Sequence, residues 1–532
     1  VDDDGGAGTR PADPDDHGRR GRPHPLVAEG PALVRCQGLR QGSAEAGRRA
    51  HLGRGHVDQL PWRAVEIPTP EYDAFRQRYR EILGTNPESI ETLPEMRVVR
   101  IGKSDIETLK QNGLEFRGAR PLPFRYYDET YAPRLRRGFE SLGDLISGYK
   151  DDKLNKKLLR AVSQQYPKLV SYHVLGKTRL GREIVAVKIV RGGSKKHRVP
   201  ILFTGSHHAS EMTSTEHCYR ILYDLLSEPA KYRRVFENHV IWMVPLVNPD
   251  GAHFFWHIST AMGRKNGYLA SDQNENSLNR GVDLNRNYPF QWNSGNPKAS
   301  SDDPENFYYR GPQAASEPET QALMRLARAQ RFVYAISFHS KASKILFPYT
   351  IDNLANPTPD IAREFAEELA VKVDNTGLPR EFTAAKNLYS VDGTDQDYHY
   401  HTHGTLAYIL ETSYENCEYR YVMPYLEKYR ALTDAFLFDY SRRKKFALRI
   451  RDAQQKPIAA KITFSDQEFF HGEKRISDAG NGSFIRVTNS DEKVVATISA
   501  KGFKTRHISL KPQTAPYPAL KTITLQRRRR RH

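Results

Sequence analysis

The segment Gly205-Ser206-His207-His208-Ala209-Ser210-Glu211 sets a histidine and a carboxylate three residues apart, His208 and Glu211. It follows the apolar run Ile201–Thr204 and precedes a helical pattern that begins at Thr213. Two side chains at that spacing, where a strand gives way to a helix, can converge on one ion. Imidazole and carboxylate are both good zinc ligands. The same letters also fit a glutamate in a helix's first turn beside a core histidine. A further ligand is on offer in His339, which ends the apolar run Val333–Phe338. In open α/β sheets, sites form outside the carboxyl ends of the strands, although a lone histidine there also fits a satisfied core position. Pro245-Leu246-Val247-Asn248-Pro249-Asp250-Gly251 closes another strand, and Asp283-Leu284-Asn285-Arg286-Asn287 offers an Asn–Arg pair. A guanidinium fork with an amide beside it suits a carboxylate. Finally, Thr405–Leu410 is an apolar run ending in Glu411. A carboxyl in such a setting tends toward a raised pKa, which suits a general base. A surface glutamate at a strand end would read the same way.

These residues need a scaffold, and the chain's patterning supplies one. From about Phe139 to Tyr440, helical stretches (Lys153–Tyr166, Thr213–Leu226, Glu317–Gln330, Pro359–Val373) alternate with short β-branched runs. The runs are Ile184–Val190, Ile201–Thr204, Val240–Val247, Val333–Phe338 and Leu406–Leu410. That alternation predicts an α/β sheet covered on both faces. Upstream, Met96–Ile101 reads as a strand and Ser104–Phe116 as a helix capped by Ser104. Downstream, four alternating runs between Phe446 and Ser499, with turn letters such as Asp478-Ala479-Gly480-Asn481-Gly482, predict a small antiparallel β-sandwich. Residues 1–65 contain no Lys, Ile, Phe, Tyr or Asn, so they have little to bury and read as a disordered or foreign extension. The expected organisation is 1–65 extension, 66–138 N-terminal αβ unit, 139–440 main α/β unit, 441–526 sandwich and 527–532 basic tail.

The formal charge of +18 first suggests nucleic acid. Its distribution argues otherwise. Residues 441–526 hold seventeen Lys/Arg against seven acids, and Arg527–Arg531 add five more. Residues 66–440 are left with about +2, so no nucleic-acid partner is expected, and the basic end reads as a tether to an anionic surface. Cys36, Cys218 and Cys417 are too few for a disulfide framework. No apolar run approaches the roughly 20 residues of a membrane span, and the first residues show no signal-peptide core.

Taken in order, HxxE, PxxNPDG, DxNRN, a strand-terminal His and a strand-terminal Glu resemble the zinc carboxypeptidases of the carboxypeptidase A type over roughly residues 139–440. The resemblance implies a mixed, mostly parallel central sheet flanked by helices, one zinc ion, and removal of residues from peptide or protein C-termini. It implies His208, Glu211 and His339 as zinc ligands and Glu411 as general base. Arg264 matches the arginine that polarises the scissile carbonyl. Asn285 and Arg286 match the pair that grips the terminal carboxylate, and Tyr389 the mobile tyrosine that closes over it. The side-chain pocket maps to Leu346, Thr350, Val391, Gln396 and Ile409, with Asp395 adjacent, and implies an apolar or broad preference. A secreted, periplasmic or surface location is implied, with the cytoplasm left open. The region after Tyr440 resembles a transthyretin-like, carboxypeptidase regulatory-like sandwich through Arg451–Ala460 and Ala500-Lys501-Gly502-Phe503-Lys504.

Ser210 and Lys341 depart from the pancreatic pattern, which leaves preference upstream of the cleaved bond open. The triple His399, His401 and His403 reads as a polar strand or loop before Leu406 in preference to a second metal site. Two other functions remain compatible with the letters: a cell-wall peptidase acting beside diaminopimelate, and a peptide-binding or adhesion protein without zinc or turnover. The 66–138 unit, ending in the basic run Arg134-Leu135-Arg136-Arg137-Gly138, reads equally as an inhibitory prosegment or a structural lobe. If it is a prosegment, trypsin cleavage near Arg137 raises peptidase activity; unchanged activity after clean cleavage rejects the idea.

Overall fold

The computed structural model describes residues 62–92, 96–114, 116, 136–192, 198–257, 263–268, 279–413, 416, 419–514 and 520–528. The extension before residue 62, Cys36, Cys417 and the tail beyond Arg528 lie outside the described residues.

The N-terminal unit is a three-stranded antiparallel sheet, β1 (Trp62–Pro68), β2 (Glu88–Thr92) and β3 (Met96–Gly102), in the order β1-β3-β2. Two helices, α1 (Tyr72–Leu83) and α2 (Lys103–Gln111), complete it. Val65, Ile67, Phe75, Tyr79, Val99, Ile101, Leu109 and Leu114 form its core. β1 begins four residues before 66, within the stretch expected to be featureless. Its residues gain their backbone partners from β3 through seven pairs in register, which the local composition does not display. Ser104 is not the cap of α2. Gly102 holds that position without a side-chain bond, and the helix stops at Gln111 before Gly113, whose φ is +73°. Arg137, in the basic run, is tied to Asp144 and lies 3.2 Å from Glu140.

The main unit is built from α3 (Asp152–Gln165), β4 (Val170–Lys177), β5 (Glu183–Ile189), β6 (Val199–Gly205), α4 (Met212–Ser227), α5 (Arg233–Asn238), β7 (His239–Val244) and α6 (Pro249–His257). It continues with α7 (Pro318–Gln330), β8 (Tyr334–Ser340), β9 (Lys344–Leu346), α8 (Ile361–Ala370), β10 (Thr383–Ala385), α9 (Asp395–His403), β11 (Leu406–Thr412), α10 (Tyr419–Glu427) and α11 (Arg430–Arg442). The eight strands form one mixed sheet in the order β10-β9-β11-β8-β6-β7-β5-β4. The pairs β11–β8, β8–β6, β6–β7 and β10–β9 are parallel. The pairs β9–β11, β5–β7 and β4–β5 are antiparallel. All seven residues of β8 are buried, so helices cover both faces of the sheet there. The expected elements are present with ends shifted by a few residues. β7 stops at Val244 because Pro245 has no amide to extend the ladder. The segment with the three histidines is the helix α9, not a strand or loop. Thr394 caps its start, Gly404 at φ +75° ends it, and His399 is fully buried, so polar letters sit in a covered helix.

The C-terminal unit comprises β12 (Lys444–Asp452), β13 (Lys461–Phe464), β14 (Ser483–Thr488), β15 (Val494–Ser499), β16 (Arg506–Leu510) and β17 (Lys521–Leu525). They form two sheets, β14-β12-β17 and β13-β15-β16, around Phe446, Leu448, Ile450, Ile462, Phe464 and Ile498. β12 and β17 run parallel, so the unit is not wholly antiparallel as expected. β17 runs along β12 in the same direction, a long-range pairing invisible to local alternation.

Gly205, at the end of β6, has no room for a side chain. A Cβ there would lie 2.6 Å from Ser214 O and 2.7 Å from Pro245 O. Both obstacles are backbone. Gly205→Ala is expected to lower the unfolding free energy by about 1–3 kcal/mol, read as a reduced urea midpoint at unchanged slope.

Candidate metal centre

The turn after β6 aims its side chains by backbone constraint. Ser206 adopts φ +54°, uncommon for a residue with a side chain. Its amide donates to Ser214 Oγ at 3.0 Å and its hydroxyl lies 2.7 Å from Thr215 Oγ1. Asn248, from the PxxNPDG segment, braces the same turn. Its Nδ2 donates to His207 O at 3.1 Å and to Lys265 O at 3.3 Å, while its Oδ1 accepts from Gly251 N at 2.8 Å. Glu211 holds the N-cap position of α4 without a side-chain cap bond, so its carboxylate is engaged elsewhere.

His208, Glu211 and His339 converge, and all three are buried. His208 Nδ1 is 2.8 Å from Glu211 Oε1 and 3.2 Å from His339 Nδ1, and His339 Nδ1 is 3.1 Å from Glu211 Oε2. Ser340 N donates to the same Glu211 Oε2 at 3.1 Å. His208 Nε2 faces Asp283 Oδ1 at 3.0 Å. For Nδ1 to present a lone pair to an ion, Nε2 must carry the proton, and Asp283 Oδ1 is placed to accept it. Ligand atoms on a tetrahedral zinc lie about 3.3 Å apart. Two imidazoles and one carboxylate at these separations fit that ion.

Asp283 is fully buried and ties the centre to two arginines. Its Oδ2 accepts from Arg264 Nε at 2.9 Å and Arg264 Nη2 at 2.7 Å, and Arg286 Nη1 lies 3.8 Å away. Its Oδ1 also accepts from Asn285 N at 3.0 Å. Burial alone would push this carboxyl up; Arg264, Arg286 and His208 outweigh it and hold it well below the ordinary carboxylate range. Arg264 Nη1 comes within 3.4 Å of His208 Nδ1, so that guanidinium looks onto the metal cluster. Tyr308 stacks under both cations, 5.2 Å from each.

Arg286 Nη2 donates to the Tyr389 hydroxyl at 3.1 Å, and Tyr389 is 41% exposed. Asn285 Oδ1 accepts from Asp395 N at 3.0 Å, which fixes the head of α9 against the Asn–Arg turn. Glu411 pairs in register with His339 across β11 and β8. Burial first, then the charge of Glu211, pushes the Glu411 carboxyl up to about 7, against the pull of His339, Arg264 and Arg286. Of the pocket residues, Leu346 and Ile409 face each other in register, and Val391 N donates to Thr350 O at 3.3 Å. Thr350 Oγ1 donates to Asp397 Oδ2 at 2.8 Å. Gln396 lies in the first turn of α9 with both amide atoms buried and unpartnered. Asp395 leans toward His207, at 3.9 Å. The structure thus brings together the expected His208, Glu211, His339, Glu411, Arg264, Asn285, Arg286 and Tyr389. Sequence reasoning gave no role to Asp283, Asn248 or Tyr308. Asp283 stood in plain view two residues before Asn285, but its partners are 75 and 19 residues away.

The zinc carboxypeptidase family model matches residues 156–430, just over half of the chain. The metallocarboxypeptidase A of Trichophyton tonsurans is 31% identical over 290 residues, covering 52% of this chain and 64% of that protein. The match therefore spans slightly less than two thirds of that relative. In backbone shape, thrombin activatable fibrinolysis inhibitor gives a TM-score of 0.57 at 17% identity, covering 71% of this chain and 100% of the other. The carboxypeptidase A of Helicoverpa armigera gives 0.55 at 17%, covering 70% and 96%. At such identity these two structures establish the fold alone.

Asp283→Asn keeps the shape but removes the charge shared by His208, Arg264 and Arg286. Bound zinc measured by competition with a chromogenic chelator is expected to weaken by about 10–100-fold; unchanged affinity would show that Asp283 does not orient His208.

Proposed function

The chain belongs to the zinc carboxypeptidase family, and from that premise we propose that it hydrolyses the last peptide bond of peptides or proteins with a free C-terminal carboxylate. The observation that carries this reading is the register pairing of Glu411 with His339, beside a His–Glu–His cluster and an arginine pair held by one carboxylate.

His208, Glu211 and His339 would hold one zinc ion per chain. When bound, zinc supplies a Lewis acid and lowers the pKa of its water toward about 7. The remaining chemistry belongs to the chain. Glu411 takes the proton of the attacking water and delivers it to the departing amine. Arg264, aimed by Asp283, donates to the carbonyl oxygen as negative charge builds there. Arg286 and Asn285 receive the substrate's terminal carboxylate, a bidentate partner for the guanidinium. The Tyr389 hydroxyl, which rests on Arg286 in the free protein, closes over that terminus. The departing residue's side chain enters among Leu346, Thr350, Val391, Gln396 and Ile409, a largely apolar wall with an amide at its floor. The cell-wall and adhesion readings find no separate observation in their favour.

The test pairs zinc analysis with turnover of matched free-acid and C-terminally amidated peptides. About one zinc per chain is expected. The amide should be worse by at least about 30-fold, because it leaves a desolvated cation without its partner at a cost of roughly 2–5 kcal/mol. Glu411→Gln should retain zinc and lose about 10²–10⁴ in kcat. Equal cleavage of both peptides, or full activity in Glu411→Gln, would overturn the reading.

A further inference from the structure

A cavity of about 420 Å³ opens at the far end of the sheet from the metal cluster. It lies where Pro200 of β6, Val240 of β7 and Val333 before β8 meet the C-terminal unit at Ser483 and Phe484. Its lining includes three arginines (Arg198, Arg331 and Arg449) and His403, with Asp478 as the one carboxylate.

The donors on this wall are not used up by the protein. Arg331 follows α7 at φ +52°, and its Nη1 lies 3.3 Å from His403 Nδ1. A guanidinium only donates, so His403 Nδ1 accepts and the neutral ring carries its proton on Nε2. Burial, then the neighbouring cationic groups His399, Arg331, Arg328 and Arg475, hold the His403 pKa down to about 3, which keeps the ring neutral. None of the three arginines forms an ion pair among the described residues. Arg198 Nε reaches Glu237 O at 3.4 Å. Asp478 is the one acid, and its Oδ1 accepts from Gly480 N at 2.9 Å and Asn481 N at 2.7 Å within its own turn. Three arginines against one acid leave the lining at +2. A guanidinium donates and carries positive charge, so an acceptor-only guest with negative charge suits this lining.

We propose that this cavity binds a phosphate-class oxyanion. Arg331 of the main unit and Arg449 of the C-terminal unit supply the charge that holds it, so the anion links the two units. The guest is either free inorganic phosphate or the phosphate group of a small ester, since the volume exceeds that of the ion alone.

Isothermal titration of the full chain with inorganic phosphate and with O-phosphoserine, at constant ionic strength against chloride, tests the site without reference to peptidase activity. Saturable phosphate binding with a raised Tm is expected. Arg331→Gln and Arg449→Gln should each weaken it at least tenfold, while Arg449→Gln leaves peptide turnover unchanged. If Arg449→Gln does not fold, Arg449→Lys, which keeps the charge and loses the fork, makes the same comparison. Tighter binding of phosphoserine than of phosphate identifies an ester as the guest, and the reverse identifies the free ion. Equal Tm shifts with phosphate and chloride, or undiminished binding in both variants, would overturn the proposal.

Discussion

The centre of this protein depends on one buried negative charge. Asp283 is out of reach of water, and a lone carboxylate there would be strongly disfavoured. It is kept ionised by two guanidiniums and an imidazole, and each of those needs it in turn. The carboxylate fixes which ring nitrogen of His208 carries the proton, it points Arg264 at the metal cluster, and it holds the turn that presents Asn285 and Arg286. On the proposed reading, metal, carbonyl and carboxylate recognition are coupled through a single side chain. Removing the acid would leave two buried guanidiniums in mutual repulsion and the His208 ring without its partner.

The ligand cluster was legible through the ordered set of motifs and the family they resemble. Taken alone, the letters showed a His and a Glu three residues apart, and His339 and Glu411 at the ends of apolar runs, each with a plain structural reading beside the functional one. The alternation of runs likewise revealed the α/β sheet. What stayed hidden depends on distant partners. Asp283 has no meaning until the chain brings Arg264 and His208 to it. Trp62–Val65 become a strand only because β3 supplies hydrogen bonds. The parallel β12–β17 pair joins residues about seventy apart in the chain. The helix α9 was missed for a different reason. Its aromatic and histidine-rich letters lack an apolar stripe, yet Phe290, Tyr349 and Arg475 surround it, so it needs no amphipathic contrast.

That helix also shows how the C-terminal unit bears on the centre. Its first turn carries Gln396, and its last turn carries His403 at the arginine-lined cavity. Between them, Arg475 Nη1 donates to His401 O at 2.9 Å, and His401 Nε2 lies 3.0 Å from His471 O. Next to the pocket residue Thr350, the buried Tyr349 donates its hydroxyl to Glu473 Oε1 at 2.9 Å. The segment between β13 and β14 thus forms the rear support of the proposed side-chain pocket, although it is remote from the metal cluster in sequence.

The pairing of Glu411 with His339 is set by a parallel backbone ladder, not by side-chain packing. Alternate residues of a strand face opposite sides of the sheet. An insertion or deletion of one residue within β8 or β11 would turn one of the pair away from the other while leaving every loop intact. Over evolutionary time the connections around this sheet are free to lengthen, shorten and diversify. The spacing inside these two strands is not, and lineages of such proteins should differ by gaps everywhere except there.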